Sequence, residues 1–117
     1  MEDQGIIDQK TYRELKDLMG ADYVIEIVDT YLQETATLIQ QLQQALDVGD
    51  AGSFGRLAHS IKSSSASLGA LNFSLQAREL EMLGKANDLA GVGSKFEQLV
   101  ANFNLVTNRL KELRNEP

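Results

Sequence analysis

"DYVIEIVDTYLQETATLIQQLQQALDVGD", residues 22–50, places Val24, Ile27, Val28, Tyr31, Leu32, Thr35, Ile39, Leu42 and Leu46 at steps of three and four. That spacing lines one face of a helix and does not fit the alternation of a strand. Asp22 stands where it can cap the N-terminus, and "VGD" (Val48–Asp50) breaks the pattern. The only proline among the 117 residues is Pro117. Nothing in the interior therefore forbids further long helices. No Asn-Gly or Asp-Gly hairpin signal appears, and there is no internal repeat or linker. An all-α fold follows.

Working outward, Asp8 can cap a short first helix that reaches about Met19 and stops at Gly20. Asp50 can cap a third helix, to about Leu68 with Gly69 as its stop. "NFSL" (Asn72–Leu75) opens a fourth, with Leu75, Leu80 and Leu83 expected inward and an end near Asn87 or Asp88. "AGVGS" reads as a loop. A fifth helix is expected from about Ser94 to Leu113 through Phe96, Leu99, Val100, Phe103, Val106 and Leu110. Helices of this length joined by short loops imply antiparallel neighbours. The expectation is one domain, 1–117: an antiparallel up-and-down four-helix bundle with an additional short N-terminal helix.

Hydrophobic residues make up 43% and charged residues 24%, an ordinary globular balance. With no cysteine there is no disulfide framework and no thiolate metal site. The acidic start "MEDQG" lacks the basic region of a signal peptide, and no apolar run approaches a membrane span. A cytoplasmic chain is expected, and the free acidic start and the Pro117 end are compatible with a stand-alone protein. A net charge of −6 disfavours nucleic acid and anionic membranes as partners.

The one histidine lies in "FGRLAHSIKSSSASLGA" (Phe54–Ala70), among small side chains with little helix propensity. On a helical wheel Phe54, Leu57, Ala58, Ile61, Ser65 and Leu68 form the inward stripe. His59 is two residues from both Leu57 and Ile61, so it points away from the core. Gly52, Gly55, Ser63, Ala66 and Ala70 share its face, and Lys62 lies beside it at i+3. The small residues suggest a track along which a partner could approach an exposed imidazole. A neutral imidazole is nucleophilic near pH 7, and a neighbouring cation offsets negative charge placed on the ring. That pair suits the acceptance of a phosphoryl group, with the remaining machinery supplied by a partner.

Other chemistries fit less well. There is no nucleophile elbow and no second histidine for a hydrolase, and no pair of Glu-x-x-His motifs for a di-iron site. "DVGDAGSFG" has Gly49 and Ala51 where calcium ligands belong, and "GVGSK" lacks the spacing of a phosphate loop. No metal site and no cofactor are expected in this chain.

"AHSIKSSSASLGAL" (Ala58–Leu71) resembles the signature of histidine-containing phosphotransfer (HPt) domains of bacterial two-component phosphorelays, roughly His-x-x-Lys-Gly-x-x-x-x-x-Gly. "IID" before the first helix, "GD" before the third and "LEMLGK" in the fourth fit the same family across nearly the whole chain. The resemblance implies a carrier without autokinase activity. It would accept a phosphoryl group on His59 from a receiver-domain aspartate of a hybrid sensor kinase and pass it to a response-regulator aspartate. The Mg²⁺ would sit on the receiver, and the carrier would be a monomer. Lys62 matches the family's basic neighbour, Gly69 the glycine closing the helix, and Lys85 a second basic position in some members. Gly55, Ala66 and Gly69 would belong to the docking surface. Ser63 stands where the family usually has glycine, and its hydroxyl could donate to phosphoryl oxygens.

Glu81 falls where members carry a glutamine or glutamate near the imidazole. His59 lies about 11 residues before the turn at Ala70–Leu71 and Glu81 about 10 after it, which puts them at one height on antiparallel helices. Two readings of Glu81 stay open: acceptor for the ring Nδ1–H, or a surface residue paired with Lys85 at i+4. Two alternatives to the carrier also stay open. One is a helical adaptor that binds receiver domains without being phosphorylated; the other is a small hydrolase or phosphatase.

Overall fold

The computed structural model describes residues 5–116, so the acidic start Met1–Gln4 and Pro117 lie outside the described residues. Five α-helices follow one another: α1 Gln9–Met19, α2 Ala21–Val48, α3 Ala51–Ser67, α4 Leu71–Lys85 and α5 Lys95–Arg114. A single 3-10 turn, Leu89–Gly91, lies between α4 and α5, and no strand occurs among the described residues.

Short polar residues and glycines set the boundaries. Asp8 accepts from the Thr11 N–H at 3.2 Å and caps α1. Gly20, at φ 94°, ends α1 and starts α2 by itself. Asp22 is therefore not the cap expected for α2. It lies in the first helical turn, where its charge meets the positive end of the helix dipole. Gly49, at φ 75°, closes α2, and Asp50 caps α3 by accepting from the Ser53 N–H at 3.1 Å. Asn72 does not open α4 through its side chain, because Ala70 holds the N-cap position. The Asn72 amide instead donates to the Gly5 carbonyl at 2.6 Å. α4 ends at Lys85, slightly before the expected stop, and Asn87 takes the left-handed conformation that turns the chain. Part of the expected loop "AGVGS" is built in: the 3-10 turn drives Val92 into the core, 1% exposed.

The apolar stripe of α2 buries Val24, Val28, Tyr31, Thr35 and Leu42, with Ile27, Leu32, Ile39 and Leu46 packed at its edges. On α5 the core takes Phe96, Leu99, Val106, Leu110 and Leu113. α4 departs from the expected pattern at one place. Its inward positions are Phe73, Ala77 and Leu80, and Leu75, two residues off that stripe, is 55% exposed. α2 packs on α3, α3 on α4, α4 on α5, and α5 returns to α2. Phe73 stacks on Phe103 across α4 and α5 at 5.6 Å between ring centroids. α1 lies against α2 and α3, and the Asp8 N–H reaches the Gly69 carbonyl at 2.7 Å.

The α3–α4 interface is the most extensive in the molecule, and it is close because of two glycines. A Cβ built on Gly84 would lie 2.6 Å from the Gly55 nitrogen and 2.9 Å from the Ala51 carbonyl oxygen. Only a residue without a Cβ fits there while the backbones stay in place. This contact corrects the expected track. Gly55 lies one turn before His59 on the same face, but α4 covers that face and Gly55 is buried. Gly69 and Ala70 are buried in the α3–α4 turn, Gly69 against the Asp8 backbone. Gly52 and Ser63 are exposed and Ala66 is half-buried, so the open part of the face is narrower than the wheel implies.

Candidate functional site

The close crossing of α3 and α4 brings the candidate residues together. His59 projects from α3 with its side chain 55% exposed. Its Nδ1 lies 2.8 Å from Oε2 of Glu81, which faces it from α4. Glu81 is 2% exposed, the one buried carboxylate among the described residues. Lys62 Nζ reaches Glu81 Oε1 at 2.7 Å and Lys85 Nζ reaches Oε2 at 2.8 Å. The two readings of Glu81 thus hold at once: it pairs with Lys85 and also meets the ring, from a buried position.

The charge state of Glu81 decides the tautomer. Burial pushes its carboxyl up, but hydrogen bonds from Lys62, Lys85 and His59, with the Lys62 charge, outweigh that and hold it down at about 2. An ionised carboxylate can only accept, so Nδ1 carries the hydrogen and donates it. In the neutral ring Nε2 then keeps its lone pair, and among the described residues the ring makes no other hydrogen bond. The contact therefore aims one ring nitrogen outward as a nucleophile.

An open hollow of about 580 Å³ lies beside the ring between α3 and α4, lined by His59, Glu81, Lys85, Arg56, Gly55 and Gly84. The two glycines give it depth. Three residues here escaped the sequence reading. Arg56 lies three positions before His59, a spacing that could have flagged it. Gly84 was visible in "LEMLGK", but its contact with Gly55 is not a sequence property. Ser74 donates from its hydroxyl to the Lys62 carbonyl at 2.8 Å and ties α4 to α3 beside that lysine. Ser63 is exposed one turn beyond His59, and no hydrogen bond joins its hydroxyl to the ring or to Glu81.

Among the described residues no group of three or more His, Cys, Asp or Glu could hold a metal ion. No helix among them is long and apolar enough to cross a membrane. The site offers an oriented imidazole, a buried carboxylate behind it and three cations around it.

The chain is 28% identical over 113 residues to histidine-containing phosphotransfer protein 4 of Arabidopsis thaliana, covering 92% of this chain and 88% of that protein. Its fold matches the crystal structure of histidine-containing phosphotransfer protein B of Pseudomonas aeruginosa PAO1 with a TM-score of 0.87 and 27% identity. That match covers 93% of this chain and 94% of the other. The family model of the Hpt domain matches residues 26–116, which hold the whole of α3, α4 and α5 and leave α1 outside. With His59, Lys62 and Glu81 inside that span, the chain belongs to the Hpt domain family.

Proposed function

We propose that this chain is a phosphorelay carrier. His59 Nε2 accepts a phosphoryl group from the aspartyl phosphate of one receiver domain and yields it to the aspartate of another. The observation that carries this reading is the ring itself, exposed to a partner at Nε2 and held from behind at Nδ1 by a buried carboxylate. Membership of the Hpt family and the phosphotransfer names of its relatives support it. Nε2 needs no general base, because it already has a free pair. Lys62 and Lys85 lie where they could neutralise charge gathering on the phosphoryl oxygens.

In this reading the chain carries the group and does not phosphorylate itself, and Mg²⁺ comes with the receiver. The helices form an up-and-down antiparallel four-helix bundle with α1 packed on it, within a single cytoplasmic, monomeric domain. The closed order of helix contacts and the short connections support that arrangement. A receiver domain would approach over the exposed part of α3 near Ser63 and Ala66.

The test is incubation with a panel of phosphorylated receiver domains and Mg²⁺. A carrier acquires phosphate on His59 alone, labile in acid and stable in base, and His59→Gln abolishes it while keeping the fold. Binding without modification would make the chain an adaptor. Acid-stable phosphate on a serine in His59→Gln would overturn the assignment of the acceptor.

A further inference from the structure

We propose that Glu81 keeps the ring of His59 protonated at Nδ1 after Nε2 has taken a phosphoryl group, and that this retained proton is what lets the group leave again. The inference rests on the carrier reading above. In the resting pair Nδ1 bears the hydrogen and Nε2 the lone pair. Attack on an aspartyl phosphate forms the Nε2–P bond and breaks the P–O bond, and the electron pair leaves on the aspartate carboxylate. No proton moves. The ring has given up a lone pair while keeping Nδ1–H, so it becomes a phosphoimidazolium with one positive charge. In the reverse step a carboxylate attacks phosphorus and the N–P pair returns to Nε2, leaving neutral imidazole.

Loss of the Nδ1 proton to water would change that outcome. The reverse step would then have to expel an imidazolide anion, a far poorer leaving group. One proton thus decides whether the phosphoryl group is in transit or stored. The geometry favours transit. Glu81 Oε2 lies 2.8 Å from Nδ1, and the carboxylate is buried, so water does not readily take its place. A neutral amide there could accept the same hydrogen bond without favouring the charge on the ring. The surrounding cations act the other way: Arg56 and Lys62 on α3, and Lys85 on α4. Lys62 and Lys85 are drawn onto the same carboxylate, which offsets part of their charge. From α2, Glu34 lines the neighbouring hollow with Ser60.

The test phosphorylates the full chain with phosphoramidate, a small donor whose nitrogen leaves as ammonia when Nε2 attacks. Decay of the phosphohistidine is followed by ³¹P NMR, and the ring Nδ1–H by ¹⁵N NMR, in the wild type and in Glu81→Gln. In the wild type the Nδ1–H signal should persist and the decay rate stay nearly level from about pH 6 to about pH 9. In Glu81→Gln the rate should fall as pH rises. Near pH 8 its phosphoryl group should last roughly tenfold longer, since an opposite charge this close shifts a protonation equilibrium by about that factor or more. Coincident pH profiles, with phosphohistidine formed in both proteins, would overturn the role of Glu81 and leave the carrier reading standing. Loss of the Nδ1–H signal from the phosphorylated wild type would do the same without any variant, should Glu81→Gln fold poorly. No phosphohistidine from phosphoramidate or from phosphorylated receiver domains would overturn the carrier reading and this inference with it.

Discussion

Gly84→Ala should uncouple the imidazole from its carboxylate while leaving all five helices in place. The new Cβ would meet the Gly55 nitrogen at 2.6 Å and the Gly55 Cα at 2.7 Å. Both belong to helix backbone, which cannot swing aside as the end of a side chain can. Reaching an ordinary contact of 3.4 Å from 2.6 Å requires α3 and α4 to part by 0.8 Å at that point. The same opening applied to the 2.8 Å Nδ1–Glu81 contact gives about 3.6 Å, beyond a working hydrogen bond. Overpacking of this kind costs roughly 1–3 kcal/mol, against about 1 kcal/mol gained by replacing glycine with alanine inside a helix. The net loss is therefore about 0–2 kcal/mol, read from urea unfolding midpoints. The sharper readout is ¹⁵N NMR of the ring, where the fixed Nδ1–H tautomer should give way to a mixture. Gly55→Ala is the control. Its Cβ would find its nearest atoms at 3.5 Å, an ordinary contact, so the tautomer should survive and stability should hold or rise. A Gly84→Ala protein with wild-type stability and an unchanged ring spectrum would refute the account of the close crossing.

The other expectations concern charge and docking. Glu81 titrates at about 2 in the folded chain, below its ordinary 4.5. Its contribution to stability is thus complete above about pH 4.5 and lost as pH falls toward 2, and urea midpoints across that range should drop less in Glu81→Gln. Asp8 and Asp50 are lowered by their hydrogen bonds from Ser/Thr cap partners and act in the same direction, so neutralising either cap should also flatten the acid limb. Lys62→Ala should slow phosphoryl transfer by about fivefold, the equivalent of roughly 1 kcal/mol, or more if docking excludes water; an unchanged rate at low salt would make it a solubilising residue. Ala66→Arg should block receiver binding with little change in thermal midpoint, because the position is only half-buried, and tight binding by that variant would place the partner elsewhere.

Most of the helical plan could be read from periodicity and caps. Asp8, Asp50, Gly20, Gly49 and Gly69 act locally, through a hydrogen bond three residues away or a positive φ, so their neighbours suffice to interpret them. Leu75 misled because hydrophobicity alone does not say which of two apolar sets on α4 faces inward. Its exposure follows from the pairing of Phe73 with Phe103 and of Gly84 with Gly55. His59, Lys62, Glu81 and Lys85 were all named from helix spacing and family resemblance, and the structure brings them into one cluster. What spacing could not supply was the burial of Glu81, since a glutamate with Arg78 at i−3 and Lys85 at i+4 on a helix reads as part of a solvated charged face. The same blind spot put Gly55 on an open face. A wheel shows which residues share a side of one helix, but not that another helix lies against it.

The three cations around the ring sit on a chain whose overall charge is −6. Lys62 and Lys85 outnumber the one carboxylate they both pair with, and Arg56 lines the same hollow with Asp50 as its own acidic neighbour. Three cations thus face two carboxylates, and this patch is positive on balance while the chain at large is negative. Such a molecule has a preferred direction of approach. An acidic phosphoryl-bearing partner is repelled over most of the surface and drawn toward one patch, so encounters are oriented before any contact forms. The effect belongs to the rate of association more than to its strength, and it fades with added salt. Placing the positive patch beside His59 Nε2 would make productive collisions a larger share of all collisions, as the proposed carrier role requires of a molecule that meets one partner, releases it and finds the next.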